Sequence, residues 1–393
     1  MTQQHTVIVG GGLAGLWLAD ALTKRGDAVT VLEKYDYLGG RVLTAKAGYE
    51  IGAGRIHDSH VHVAELVHRY KLHTTRISAG SLWRPLGAST AEKNDFDATW
   101  ASILAVIEKL PPSVLATHTL AQLAVRIMGP AAMELLDRFP YRAETERLRA
   151  DLGIETFKHE MGGSSGYYVV NEGFSAFIRG LEADIRKRGG RIELNTEIVD
   201  VKDTTVIARG GRVFKGDRVI LALHVNALRH IPATKHLPAL KHLTMAPLTR
   251  IYASYPSLDW LGSTRIVTDS PLRYIIPVNP AAGIVMISYV DDRDTRKWKG
   301  LKGARLQREI QKELRRLFRG VPIPEPRWVK AYEWTEGATY WMPGNYDPAT
   351  EARAAMAPRP GLYICGESLS VGRQAWMEGA LETAVTLIAM LNH

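Results

Sequence analysis

Short apolar runs near each end of the chain carry its clearest pattern. Thr6 to Val9 is a β-branched run that stops at Gly10-Gly-Gly-Leu-Ala-Gly15, and from Leu13 apolar residues return at helical spacing through Leu16, Trp17, Ala21 and Leu22. This predicts strand, tight glycine turn, helix. Gly26-Asp27 interrupts the chain, and Ala28-Val-Thr-Val-Leu32 predicts a second strand ending at Glu33. The whole unit closes within about 30 residues. Near the other end, Gly361-Leu-Tyr-Ile-Cys-Gly366-Glu367-Ser368 reads as a short strand ending in Gly-Glu, and a helix follows from Trp376 through Ala384. In the middle, Gly173-Phe174 leads into a helical segment, and alternation from Ile192 and again over 218–223 predicts further strands. Residues 90–160 read as several short helices, and 245–335 as strands plus an amphipathic helix near 304–318.

Composition narrows the classes without choosing among them. The 393 residues, 46% hydrophobic and 23% charged, fit a globular protein of two to three domains and exclude disordered, collagen-like and coiled-coil chains. The net charge of +9 concentrates on Arg305, Arg308, Lys312, Arg315, Arg316 and Arg319, opposite Leu306, Ile310, Leu314 and Leu317. A solvated helix face accounts for that stripe, so nucleic acid is not expected as a partner. One cysteine, Cys365, excludes an intramolecular disulfide framework and a cysteine-cluster metal site. His57, His60 and His62 come without a carboxylate-histidine motif, so no metal is expected. No apolar run approaches the roughly 18 residues of a membrane helix, and no signal peptide precedes Val7, so a cytoplasmic protein is expected.

The glycine turn has a chemical use. Gly10 permits the turn, Gly12 lets a pyrophosphate approach the backbone, and Gly15 lets helix and strand pack closely. The helix N-terminus at Leu13 and Ala14 offers free N–H groups to phosphate. Glu33 stands where an acid accepts hydrogen bonds from the adenosine ribose, and its charge disfavours a 2′-phosphate, leaving NAD or FAD. Lys34-Tyr-Asp-Tyr-Leu-Gly39-Gly40-Arg41 then supplies a second close backbone approach and a guanidinium anion clamp.

With Gly-Gly-Arg just past the ribose-binding acid, the sequence resembles the flavin amine oxidase family, and the Gly366-Glu367 strand and Trp376-Met377 helix resemble that family's C-terminal flavin signature. The resemblance implies non-covalent FAD, since Cys365 belongs to the Gly-Glu strand and nothing matches the cysteine that links flavin in monoamine oxidases. It further implies a glutathione-reductase-like α/β fold: a discontinuous Rossmann FAD-binding domain with an α+β substrate-binding domain. On it, Gly10, Gly12, Leu13, Ala14, Gly15, Glu33, Lys34, Gly40, Arg41, Gly54, Arg55, Ile198, Gly366, Glu367, Trp376, Met377 and Ala380 are expected to contact the cofactor. Glu367 would meet the ribityl chain, Met377 the pyrimidine ring, and Ile198 the adenine. The corresponding segments are 1–75, 166–230 and 346–393 for FAD binding, 76–165 for a mainly helical part of the substrate domain, and 231–345 for the rest of it.

The expected chemistry lies along the flavin. Gly52-Ala-Gly54-Arg55-Ile-His57 is similar to two branches at once: polyamine oxidases, which share Gly52, Ala53, Ile56 and His57, and L-amino-acid oxidases, in which an arginine matching Arg55 grips the substrate carboxylate. Arg250 stands where the family places a lysine that bridges through water to flavin N5. Trp376, with Tyr340 or Trp341, would supply the aromatic walls beside the substrate amine. The implied reaction is oxidation of the C–N bond of an amine or L-amino acid by hydride transfer to N5, hydrolysis of the imine, and reoxidation by oxygen or another acceptor. A desaturase or protoporphyrinogen-oxidase-like enzyme, a redox-neutral flavin mutase, and a non-catalytic flavin-binding protein remain as alternatives.

Overall fold

The computed structural model describes residues 3–161 and 166–392. The expected segment boundary at 165 falls at 162–165, outside the described residues. The first layer is a five-stranded parallel sheet in the order Leu362–Cys365, Arg218–Ala222, His5–Val9, Ala28–Leu32, Arg191–Glu193. Its central strand ends in the apolar run Val7-Ile-Val9 because both faces are covered there: Val7 and Ile8 are fully buried. The helix Leu13–Lys24 packs against both Ser175–Lys187 and Met377–Met390. Charged groups fasten these helices together. Asp20 receives both Nη atoms of Arg69, at 2.6 and 2.9 Å, and the guanidinium of Arg188. Glu378, on the last helix, accepts the N–H groups of His62 and Val63 and so caps the helix Val61–Arg69.

The second layer is a seven-stranded mixed sheet in the order Trp328–Trp341, Leu243–Ser254, Ile284–Asp291, Tyr274–Asn279, Ile266–Val267, Leu82–Trp83, Glu92–Lys93. Alternation along its long strands separates two environments. Ile251, Ala253, Val285 and Ile287 pack with Leu306, Ile310, Leu314 and Leu317 of the helix Gly303–Leu317. Arg250, Tyr252, Met286 and Tyr289 line the cavity between the layers. The basic residues of that helix are exposed, and Arg315 and Arg316 pair with Glu325 and Glu313.

Short helices occupy 96–156, around a core that includes Phe96, Trp100, Leu123, Phe139 and Phe157. The helical region expected from residue 90 begins only at Phe96, because Glu92–Lys93 pairs with Leu82–Trp83 and extends the sheet edge. Among the described residues no helix is long and apolar enough to cross a membrane.

Candidate active site and cofactor cleft

All the strand ends that carry sequence signals point the same way. The parallel strands finish at Gly10, Glu33, Leu223 and Gly366, and these residues border one cavity of about 1520 Å³ between the two sheets. Crevices at the carboxyl ends of parallel strands are where open α/β sheets bind ligands. This one exceeds the roughly 300–1,000 Å³ of a single small-molecule pocket. It has room for a large cofactor and a substrate together.

The glycine turn divides its labour by position. Gly10 has φ +108°, and a Cβ there would lie 2.4 Å from the Ala222 carbonyl oxygen. A Cβ on Gly12 would meet nothing within 4 Å, because it would project into the cavity. The Gly39–Gly40 turn lies directly beside it: the Gly39 N–H donates to Gly11 at 2.8 Å, and a Cβ on Gly40 would approach the Gly12 Cα at 3.4 Å. Two bare backbone segments thus form a cradle that side chains would fill. The helices Leu13–Lys24 and Met377–Met390 both begin at the cavity wall without a side-chain cap, so their first N–H groups remain available to an anion or a carbonyl oxygen. Glu33 is held by backbone donors, Gly11 N–H at 2.7 Å and Tyr35 N–H at 2.9 Å. Arg41 pairs with Glu367 at 2.9 Å, and Glu367 also accepts from the N–H groups of Thr339 and Ala375 and the Thr339 hydroxyl. This donor set and cradle fit FAD, whose ribose would be held at Glu33, pyrophosphate at Gly12, Gly40 and Arg41, and flavin end toward Glu367, Trp376 and Met377.

Cys365 is fully buried in the sheet, and burial pushes its thiol up to about 12. His224, beside the cleft, is lowered to about 4 by burial and then by the nearby Arg41 charge. It is therefore neutral at pH 7, and its Nδ1 accepts from the Ala227 N–H at the start of a short helix.

Beyond Glu367 the cavity becomes aromatic and cationic. The Arg55 guanidinium lies 4.4 Å from the Tyr167 ring centroid, 4.9 Å from Tyr141 and 5.2 Å from Trp376, and donates to the Tyr141 hydroxyl at 2.7 Å. Arg250 sits against Gly54 and 5.2 Å from the Tyr289 ring, donates to the Glu50 carbonyl at 3.0 Å, and leaves Nε without a partner among the described residues. Neither arginine has a carboxylate partner among the described residues, although arginines elsewhere, such as Arg142 with Asp137 and Asp294, are ion-paired. Glu144 also lines this end; burial raises its carboxyl. The Asp291 carboxyl is pushed up by burial and then by the Glu144 charge.

Most of the residues singled out from the sequence converge on this cavity: Gly10, Gly12, Leu13, Ala14, Glu33, Lys34, Gly40, Arg41, Gly54, Arg55, Ile198, Arg250, Tyr340, Gly366, Glu367, Trp376, Met377 and Ala380. Three do not. Gly15 is packed behind the turn, where a Cβ would lie 2.0 Å from the Gly10 carbonyl oxygen; it shapes the cleft without facing it. Trp341 is fully buried, with its indole N–H on the Ser370 carbonyl at 3.0 Å, because successive strand residues face opposite ways and Tyr340 takes the cavity side. His57 lines a separate shallow groove with Trp100, Leu104 and Lys158, and its Nδ1 lies 2.9 Å from the Ser59 hydroxyl. The buried neighbour in the short strand is Ile56. His60 pairs with Glu160 at 2.8 Å, which Arg373 also contacts at 2.6 Å, and among the described residues no three His, Cys, Asp or Glu side chains are grouped to hold a metal. Sequence reasoning missed Tyr141, Glu144, Tyr252, Tyr274 and Tyr289, which reach the cavity from the helical segment and the seven-stranded sheet. No local motif marks them.

The chain matches the family described as flavin containing amine oxidoreductase over residues 13–386. An L-amino-acid oxidase of Mus musculus is 32% identical over 120 residues, covering 28% of this chain and 16% of that protein. One of Vipera ammodytes ammodytes is 38% identical over 80 residues, 19% of this chain and 16% of that protein. The aligned stretch thus spans about a sixth of each relative's length. Among solved structures, a redesigned putrescine oxidase superposes with a TM-score of 0.78 at 18% identity, covering 99% of both chains. Wild-type putrescine oxidase bound to putrescine gives 0.77 at 18% identity, covering 100% of this chain and 99% of that one. At that identity the likeness is one of fold.

Proposed function

The chain belongs to the flavin-containing amine oxidoreductase family, and from that premise we propose that it oxidises the C–N bond of an amine carrying a carboxylate, an L-amino acid. In this reading segments 1–75, 166–230 and 346–393 hold FAD, while 76–165 and 231–345 form the substrate side. When bound, FAD supplies the two-electron acceptor that the reaction requires.

The observation that carries the substrate assignment is Arg55: a guanidinium at the cavity wall, boxed by three aromatic rings, fixed at Nη1 by the Tyr141 hydroxyl and at Nη2 by the Met161 sulfur, and without an ion-paired carboxylate among the described residues. The rings exclude water and lower the local dielectric, so a substrate carboxylate gains more there than at an open surface. The planar fork accepts that carboxylate in a fixed orientation. Trp376 and Tyr340 wall the same compartment and confine the carbon that bears nitrogen. The part-length L-amino-acid oxidase alignments support the same substrate class.

Anaerobic mixing of the flavin-loaded protein with a panel of L-amino acids and their decarboxylated amines tests the reading. Bleaching of the flavin band by amino acids in preference to the amines is the expected result. Bleaching by the amines alone overturns the carboxylate assignment, and no bleaching by any amine or amino acid overturns the reaction.

A further inference from the structure

We propose that Glu144 receives the cationic amino group of the substrate, in the same compartment as Arg55, and so makes a positively charged nitrogen a condition of binding. The inference rests on the amine-oxidising reading but not on the carboxylate assigned to Arg55.

Glu144 belongs to the short helix Ala143–Glu146 and borders the cavity. Its Oε1 accepts the Tyr340 hydroxyl at 3.2 Å; its Oε2 is shielded and has no hydrogen-bond partner among the described residues. The groups whose charge reaches it come from three other elements: Arg55 after the glycine-rich turn, Tyr289 and Asp291 on one sheet strand, and Tyr340 on another. None supplies the missing donor. Arg55 gives its Nη1 to Tyr141 and its Nη2 to the Met161 sulfur. Asp291 gives it no hydrogen bond: its two oxygens accept the N–H groups of Arg142 and Ala143 at 3.0 and 3.1 Å. Asp291 is therefore tied to the backbone, while Glu144, whose residue borders the cavity, keeps one shielded oxygen unmet.

A shielded carboxylate with one oxygen unmet is unfavourable. A neutral hydroxyl on a ligand would answer only the missing hydrogen bond. An ammonium answers both the hydrogen bond and the charge, and charge-assisted bonds are roughly twice as strong as neutral ones. Arg55 repels cations that approach without an anionic group of their own. Glu144 offsets that repulsion, so a zwitterion finds a partner for each of its charges.

The test uses the FAD-loaded protein and probes with no hydrogen on the carbon bearing nitrogen, so that turnover does not mask binding: 2-phenylpropan-2-amine, its alcohol 2-phenylpropan-2-ol, and 2-amino-2-phenylpropanoate. Calorimetric titration of wild type is expected to show the amine binding at least ten-fold more tightly than the alcohol. Glu144→Gln, which keeps a partner for Tyr340 but loses the charge, is expected to abolish that preference, and Glu144→Asp to retain part of it. Equal affinity for amine and alcohol in wild type, or a preference that survives in Glu144→Gln, overturns the proposal. If Glu144→Gln does not accumulate as folded flavoprotein, the wild-type comparison and Glu144→Asp decide: a ten-fold wild-type preference that is reduced in Glu144→Asp supports the role, and one that is unchanged in Glu144→Asp overturns it. The 2-amino-2-phenylpropanoate arm separates the two readings: its binding falling in Arg55→Met, with no amine-over-alcohol preference in wild type, sinks the Glu144 role while leaving the Arg55 role intact.

Discussion

Arg41 and Glu367 lie 326 positions apart in the chain and meet in a 2.9 Å ion pair on the wall of the cleft. The pair is asymmetric: the arginine side chain is 30% exposed and the glutamate 6%. Glu367 has three further donors from Thr339 and Ala375, whereas Arg41 has one other acceptor, the Gly337 carbonyl at 3.0 Å.

Arg41→Ala is therefore expected to cost the apoprotein only about 1 kcal/mol, the scale of a partly exposed ion pair, while weakening FAD at least ten-fold through loss of the anion clamp. Denaturant unfolding of apoprotein and fluorescence titration with FAD measure the two effects separately. Equal, small changes in both would mean that Arg41 serves only to hold Glu367.

The glycines of the first turn should separate in the same way. In Gly15→Ala the new methyl lies 2.0 Å from the Gly10 carbonyl oxygen, backbone that cannot step aside, so a large loss of apoprotein stability, of order 2–4 kcal/mol, is expected. In Gly12→Ala the methyl meets no protein atom within 4 Å, and the apoprotein should unfold almost as wild type does while FAD binding is lost. Thermal unfolding with and without FAD distinguishes them; an unstable Gly12→Ala apoprotein would contradict the cradle.

For Arg55→Met, substrates with and without a carboxylate should part company. Removing the cation leaves a desolvated substrate carboxylate unpaired, at a cost of several kcal/mol, so kcat/KM for an L-amino acid should fall far more than for its decarboxylated amine. Equal losses for the matched pair would assign Arg55 to the cofactor or to structure instead. Flavin content of the purified variant shows which.

His224 predicts a pH dependence. Its imidazole is lowered from 6.5 to about 4 in the folded protein, so below the unfolded value the unfolded chain binds a proton that the folded chain does not. Stability of the apoprotein is thus fully present above about pH 6.5 and falls as pH drops toward 4, by on the order of 1–3 kcal/mol from this residue. His224→Asn, which keeps an acceptor for the Ala227 N–H, should flatten that part of the profile in urea unfolding. An unchanged slope would place the titration elsewhere.

How much of this was legible in the sequence follows from the range of the interactions involved. The strand, glycine turn, helix and acid of residues 5–33 are held by contacts within one short unit, such as Gly11 N–H on Glu33, so their spacing alone carried the cofactor cleft. The Gly366-Glu367 strand and the helix after Trp376 were readable for the same reason. The substrate end is built otherwise. Tyr141, Glu144, Tyr289 and Tyr340 come from a short helical segment and two sheet strands, and become neighbours only when the layers close. Each is unremarkable in its own window. Whether Tyr340 or Trp341 faced the cavity depended on which side of a strand lay inward, and His57 borders another groove only because the helical segment packs there. Local sequence sets a residue's element and spacing; which face is buried, and which buried acid is left without a partner, is decided by what the rest of the chain packs against it.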